Sequence, residues 1–244
     1  MKSKLLRKAT SMLEIVSESD APLSLKELEA ALGLGQATAS RIASDLVESG
    51  LLRKISYRNF APGLGLIRLG QRASLNYAFL KKVNRLLDSR ARGLSFGSAL
   101  AGVAGRRLVY LFNSLHDDSP GRLGLPYSNT VCNSNIALVS LACSLGRKKA
   151  MTALRESLRS EGADLPFKAM LESYSKRIDM LESEGFSLLD GGSFWNCCVP
   201  LRWRSDVLGL ALYAAPAKAV SKDRLVSETR KLLADVEELL LNVQ

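Results

Sequence analysis

From residue 4 to residue 48 apolar side chains recur at helical spacing, and two breaks divide the run into three short helices. Residues 4–18 place Leu5, Leu6, Ala9, Met12, Leu13 and Val16 on one side, and Asp20-Ala21-Pro22 ends them. Ser24 and Glu27 stand at capping-box spacing, and Leu25, Leu28, Ala31 and Leu32 form the next inward face. Gly33 follows, where a left-handed stop needs no Cβ. A third helix begins near Gly35-Gln36, buries Ala39, Ile42, Ala43, Leu46 and Val47, and stops at Gly50.

The pattern then changes period. Leu51, Leu52 and Ile55 precede a polar tip, and Phe60 returns to the core before Pro62-Gly63, which predicts a hairpin. Three helices plus a basic hairpin make a winged helix-turn-helix, with Leu23 to Leu52 as its organising stretch. The outward side of the third helix carries Gln36, Ala37, Thr38, Ser40 and Arg41 in its first two turns, while Asp45 and Glu48 come later. Small and hydrogen-bonding side chains there permit close approach to base edges in a major groove. Arg53, Lys54, Tyr57 and Arg58 lie on or near the wing, placed to hold phosphates or to enter a minor groove.

Helical spacing resumes at Leu64–Leu69 and Ala73–Leu87, with Leu80, Val83, Leu86 and Leu87 inward and Gly93 as the stop. The rest reads as α/β. Strands are expected at Leu94–Val103 and Leu108–Phe112, turned by residues 104–107, and His116–Gly124 as a polar loop. Helices follow at Cys132–Leu145, Arg147 to about Arg159, and Phe167–Glu184 closed by Gly185. Strands at Phe186–Leu189, Trp195–Trp203 and Leu208–Ala214 precede a last helix from Ser221. In that helix Leu225, Leu232 and Leu239 repeat by sevens beside Val236 and Val243, a seam for the sheet or for another subunit. The predicted organisation is a winged helix-turn-helix domain over residues 1–64, a helical region over 65–92, and an α/β domain over 93–244.

Charge sharpens this picture. Of the formal net charge of +10 in 244 residues, the segment from Leu51 to Arg92 holds ten basic residues against Asp88 alone. A basic stretch beside a helix-turn-helix is the expected footprint of a phosphate-binding surface. Hydrophobic content of 47% suffices for packed cores and argues against general disorder. No apolar run is long enough to span a bilayer, and the basic N-terminus lacks the apolar segment of a secretory signal, so a cytoplasmic protein is expected.

Metal and enzyme chemistry find little support. Cys132, Cys143, Cys197 and Cys198 form no C-x-x-C pair and His116 is the only histidine, so a finger-type zinc site is not available. No G-x-S-x-G, Walker A or H-E-x-x-H motif appears, and Gly63…Gly65 and Gly102…Gly105 lack a phosphate-loop context. No cofactor is expected. Adjacent Cys197 and Cys198 are either small buried hydrophobes or a thiol sensor.

The run from Leu23 to Leu69 resembles the DNA-binding domain of IclR-type transcriptional regulators. Leu23-Ser24…Glu27-Leu28, Thr38…Arg41, Glu48-Ser49-Gly50-Leu51 and Phe60-Ala61-Pro62-Gly63…Leu69-Gly70 stand in the family's order and spacing. The resemblance implies that Thr38 and Arg41 face DNA and that a linker helix leads to a GAF-like domain with a ligand cavity on one sheet face. Glu184-Gly185-Phe186…Asp190, Cys198-Val199-Pro200-Leu201 and Gly209–Pro216 resemble segments of that domain. Two departures matter. Leu210–Ala215 replaces a serine-rich strand, and Pro126–Asn135 lacks the family's histidine and lysine. A ligand therefore does not carry over from family members that bind small carboxylates.

Read from the residues, a cavity lined by Trp195, Leu212, Tyr213 and Ala214, edged by Asn129, Asn133, Asp190 and Asn196, suits a partly aromatic, apolar or amide-bearing molecule. Alternatively those apolar residues are core and the asparagines are caps. The expected partners are thus double-stranded DNA with an inverted-repeat operator, a small-molecule effector, and further copies of the chain in a dimer or tetramer. The alternative is a DNA-binding protein that senses no small molecule, or that senses a protein partner or oxidation.

Overall fold

The computed structural model describes residues 4–77, 79–94, 96–105, 107–114, 130–161, 165–192, 194–214 and 220–241. It divides into two compact units, residues 1–78 and residues 79–244.

In the first unit, α1 (Lys4–Glu18), α2 (Leu25–Leu32) and α3 (Gln36–Glu48) enclose a core of Met12, Val16, Leu28, Ala39, Ile42, Ala43 and Leu46. The Ser24 side chain accepts from the Glu27 N–H, and the Glu27 carboxylate accepts from the Ser24 N–H at 2.7 Å, so the capping box is complete. The Ser24 hydroxyl also donates to the Glu27 carboxylate at 2.7 Å, and this bond together with that from the Ser24 N–H holds the Glu27 carboxyl below its usual pKa. Gly33 closes α2 in the left-handed region at φ 60.

The wing is β2 (Leu52–Lys54) paired with β3 (Asn59–Pro62), and a two-residue β1 (Leu23–Ser24) adds to the other side of β3. β1 was not legible in the sequence, because two residues show no alternation. Helix α4 (Leu64–Ser74) begins directly under the wing. The Gly63 N–H donates to the Leu51 carbonyl and the Gly65 N–H to the Gly50 carbonyl, each at 2.9 Å. A Cβ on Gly63 would lie 2.2 Å from the Gly50 oxygen and one on Gly65 2.6 Å from it. This glycine pair therefore serves close backbone packing. Leu5, Leu6, Ala31 and Ile55 are exposed, contrary to expectation. The apolar stripe of α1 is longer than the core it meets, which ends near Ala9.

The second unit is an α/β domain built on a five-stranded antiparallel sheet. Its strands are β4 (Gly97–Ala104), β5 (Arg107–Asn113), β6 (Ser187–Asp190), β7 (Trp195–Trp203) and β8 (Asp206–Ala214), in the order β5-β4-β8-β7-β6. On one face lies α6 (Asn135–Leu145), capped by Ser134 and backed by α7 (Arg147–Glu161) and α8 (Phe167–Glu184). Gly209 lets α6 approach, since a Cβ there would meet Ile136 at 2.7 Å. Arg147 joins α7 to α8 by bonds to Asp179 and Glu182 at 2.5 and 3.0 Å.

The opposite face carries α5 (Leu80–Leu94) and α9 (Lys222–Leu241), linked by an Arg90–Asp235 ion pair. The buried row of α9 is Leu225, Thr229, Leu232, Val236 and Leu240. That row follows 3.6-residue periodicity, so Leu239 is only half-buried and the heptad seam gives way to a sheet-packing face. Val243 and the loop expected at His116–Gly124 lie outside the described residues. The segment expected as one linker region supplies α4 to the first unit and α5 to the second.

Candidate nucleic-acid interface and effector cavity

The burial of Ala39, Ile42, Ala43 and Leu46 turns the other side of α3 outward. Gln36, Ala37, Ser40 and Arg41 are exposed and Thr38 is half-buried. Gln36 and Ser40 share a groove of about 930 Å³ with Lys54, Tyr57 and Arg58 of the wing. The groove also takes in Lys26 and Ser44, which the sequence reading missed. Ser44 was within reach of it, because 36, 40 and 44 follow i, i+4 spacing along one helix face.

At the wing tip Tyr57 is 83% exposed. Lys54 Nζ stands 5.5 Å and the Arg58 guanidinium 5.8 Å from its ring centroid. Arg53 is exposed but outside the groove, since it alternates with Lys54 along β2. Among the described residues none of Arg41, Arg53, Lys54 and Arg58 pairs with a carboxylate. Four solvated cations are thus available to an anionic partner. The basic segment divides between the units, with residues 53–72 in one and 81–92 in the other.

In the second unit a cavity of about 580 Å³ opens between the sheet and α8. Of the residues named in the sequence, Asn133, Asp190, Asn196 and Tyr213 line it. Trp195, Leu212 and Ala214 do not, and the alternation of a strand is the reason. Asn196 pairs with Tyr213 on the α6 face, whereas Trp195 pairs with Ala214 and Cys197 with Leu212 on the other. On that far face Lys222 lies over the Trp195 ring, and Leu212 meets Leu232 of α9. Asn129 lies outside the described residues.

The cavity wall holds a buried polar network that sequence reasoning missed. Asn135 Nδ2 donates to the Ser187 carbonyl at 3.0 Å and to the Asn196 carbonyl and Oδ1 at 3.1 Å. Its Oδ1 accepts from Ser187 Oγ at 2.6 Å and from Arg177 Nη1 at 3.1 Å. Burial pulls the Arg177 pKa down to about 10 and pushes the Tyr213 phenol up. At the rim Asp190 accepts from Lys222 Nζ at 2.8 Å and from the Gly192 N–H at 3.0 Å, which together hold its carboxyl below the usual range. A signal for Arg177 existed: Tyr174, Ile178 and Leu181 form an apolar stripe on α8, and Arg177 falls inside it.

The thiols are poorly suited to sensing. Cys197 and Cys198 are free and fully buried on opposite sheet faces. Burial pushes the Cys197 pKa up to about 11 and that of Cys198 well above its ordinary value. Low thiolate content and no access to solvent oppose reaction with an oxidant. Among the described residues no group of three or more histidine, cysteine or acidic side chains is placed to hold a metal, and no helix is long and apolar enough to cross a membrane.

A three-helix domain with a free third-helix face and a basic wing defines a winged helix-turn-helix protein, here followed by an α/β domain with a cavity. Residues 5–56 match the IclR helix-turn-helix domain family, so the resemblance read in the sequence stands. The whole chain has the fold of solved IclR structures. An IclR family transcriptional regulator from Brucella abortus is 18% identical over 99% of this chain and 92% of its own, with a TM-score of 0.78. A second IclR transcriptional regulator, from Alicyclobacillus acidocaldarius, is 16% identical over 97% and 96%, with a TM-score of 0.67. An IclR homologue from Microbacterium hydrocarbonoxydans, complexed with 4-hydroxybenzoate, is 17% identical over 98% and 100%, with a TM-score of 0.65. Comparison with curated proteins finds no match.

Proposed function

We propose that this chain is an IclR-type transcriptional regulator that binds operator DNA through α3 and the wing and answers to a small molecule in its second domain. The observation that carries the DNA-binding half is the groove where Gln36 and Ser40 meet Lys54, Tyr57 and Arg58, beside cations with no carboxylate partner. Gln36, Thr38, Ser40 and Arg41 supply base-edge contacts, with Ala37 allowing close approach, and Arg53, Lys54 and Arg58 hold the backbone. Two or four copies acting together read an inverted repeat, because two-fold protein symmetry imposes two-fold operator symmetry. The protein acts where the DNA is, in the cytoplasm.

The cavity supports the sensing half. Its 580 Å³ falls in the range of small-molecule sites, and its lining sets aromatic and apolar side chains among asparagines, serines and Arg177. The 4-hydroxybenzoate complex of the Microbacterium homologue supports an aromatic effector for a protein of this fold. Binding there shifts DNA affinity to the extent that the effector distinguishes two states of the oligomer.

Selection of bound duplexes from random DNA tests the reading. An enriched inverted repeat is expected. Recovery of sequences without any shared element would leave only non-specific attraction and end the regulator proposal.

A further inference from the structure

We propose that Tyr57, at the tip of the wing, is a wedge that enters a minor groove and partly unstacks one base step. The wing then reads the deformability of DNA as well as its charge; this rests on the reading of α3 and the wing as the DNA-binding surface. Tyr57 is 83% exposed, more than any other large apolar or aromatic side chain among the described residues, and Ile55 beside it is 45% exposed. One exposed apolar residue needs no explanation. Two within three positions do, on a tip whose other large side chains are Arg53, Lys54 and Arg58, because charge alone would serve a wing that only held phosphates.

The tip is set in place before any partner arrives. The Ile55 N–H donates to the Asn59 carbonyl at 2.9 Å, which closes the turn, and the Leu25 N–H donates to the Arg58 carbonyl at 3.2 Å, which ties it to the start of α2. Beneath it β1, β3 and β2 form a three-stranded base. Lys54 Nζ and the Arg58 guanidinium, both within 6 Å of the Tyr57 ring centroid, hold the ring between charge and solvent. With Gln36, Ser40 and Ser44 turned to a major groove, cations of the wing beside them meet phosphates at the edge of the neighbouring minor groove and carry the ring in with them. Apolar side chains pushed between base steps unstack them and kink the duplex. The cost depends on the step and is least at flexible pyrimidine–purine steps such as TA and CA. The ring thus selects sequence at a position where no hydrogen bond reads a base, and its hydroxyl is not needed for that.

The test uses the full chain on an operator selected from random duplexes. Bending is read by the mobility of circularly permuted fragments, and unstacking by the fluorescence of 2-aminopurine placed in turn at each pyrimidine–purine step flanking a half-site. The unaltered protein is expected to bend the operator and to brighten one such step. Replacing that step with a stiff A-tract should weaken binding about tenfold. Tyr57→Phe should keep all three effects. Tyr57→Ala should lose the bend and the fluorescence and bring the two duplexes to equal affinity, with melting and the salt dependence unchanged, since Lys54 and Arg58 remain. Operator binding without a brightened step, or a bend and a step preference that survive in Tyr57→Ala, overturns the wedge and leaves the regulator reading standing. A Tyr57→Ala protein that loses affinity equally on both duplexes overturns it too, because the ring then only positions the cations. If no operator is selected, the wedge and the regulator reading fall together.

Discussion

Among the described residues both units hold cations without carboxylate partners, and the two settings differ in solvent. Arg41, Arg53, Lys54 and Arg58 stand in water, where leaving a charge unpaired costs little and a polyanion gains by displacing counterions. Arg177 stands under a sheet, among neutral hydrogen-bond partners, where the same charge loses most of its hydration. The first arrangement suits a long, uniformly charged partner met at a surface. The second serves the domain's interior, where the guanidinium donates to Asn135 Oδ1 and to the Ser173 carbonyl. A charge census of the chain does not separate the two, because it counts them alike.

The largest expected effect follows from that contrast. In the proposed dimer three wing cations per copy would make about six phosphate contacts, so raising salt from about 50 to about 200 mM should weaken DNA binding by about 10³-fold or more. Affinity unchanged over that range, measured by titration, would contradict a phosphate-binding wing. Replacing Lys54 and Arg58 with alanine should flatten that slope.

Stability variants separate folding from binding. Gly63→Ala forces a methyl group against the Gly50 carbonyl and should destabilise the first unit by roughly 1–3 kcal/mol, read as its own melting transition. Unchanged melting would show that the α4–wing junction yields easily. Ser24→Ala removes one half of the capping box and should cost about 1 kcal/mol. Because the folded Glu27 pKa is depressed, the capping contribution is present above the ordinary carboxylate pKa. It is lost as pH falls through the depressed value. A Ser24→Ala difference that persists undiminished in strong acid would count against the Glu27 bond.

Much of the fold was legible because helical and strand periods are local. The capping box, the αL stop at Gly33 and the buried row of α3 follow from spacing alone. So does the exposure of Gln36, Ser40 and Arg41, which is the complement of that row. The cavity was legible only by halves. Asn196 and Tyr213 were named together with Trp195, Leu212 and Ala214, although neighbours along a strand face opposite ways. Which parity faced the cavity depended on where α6 and α9 lie, and no local pattern states that. Arg177 was visible as a cation inside an apolar stripe, and Asn135 was hidden by the apolar run that follows it. The glycine pair at 63 and 65 made sense only with Gly50 beside it.

The central claim is that the outer face of α3 reads base sequence while the wing supplies charge. Its most direct test compares the unaltered protein with Arg41→Ala on a selected operator and on a scrambled duplex, at one salt concentration and with melting recorded. The expected result is a loss of roughly 1–3 kcal/mol on the operator, little change on the scrambled duplex, and unchanged melting. Operator affinity equal to that of the unaltered protein, or an equal loss on both duplexes, would contradict it.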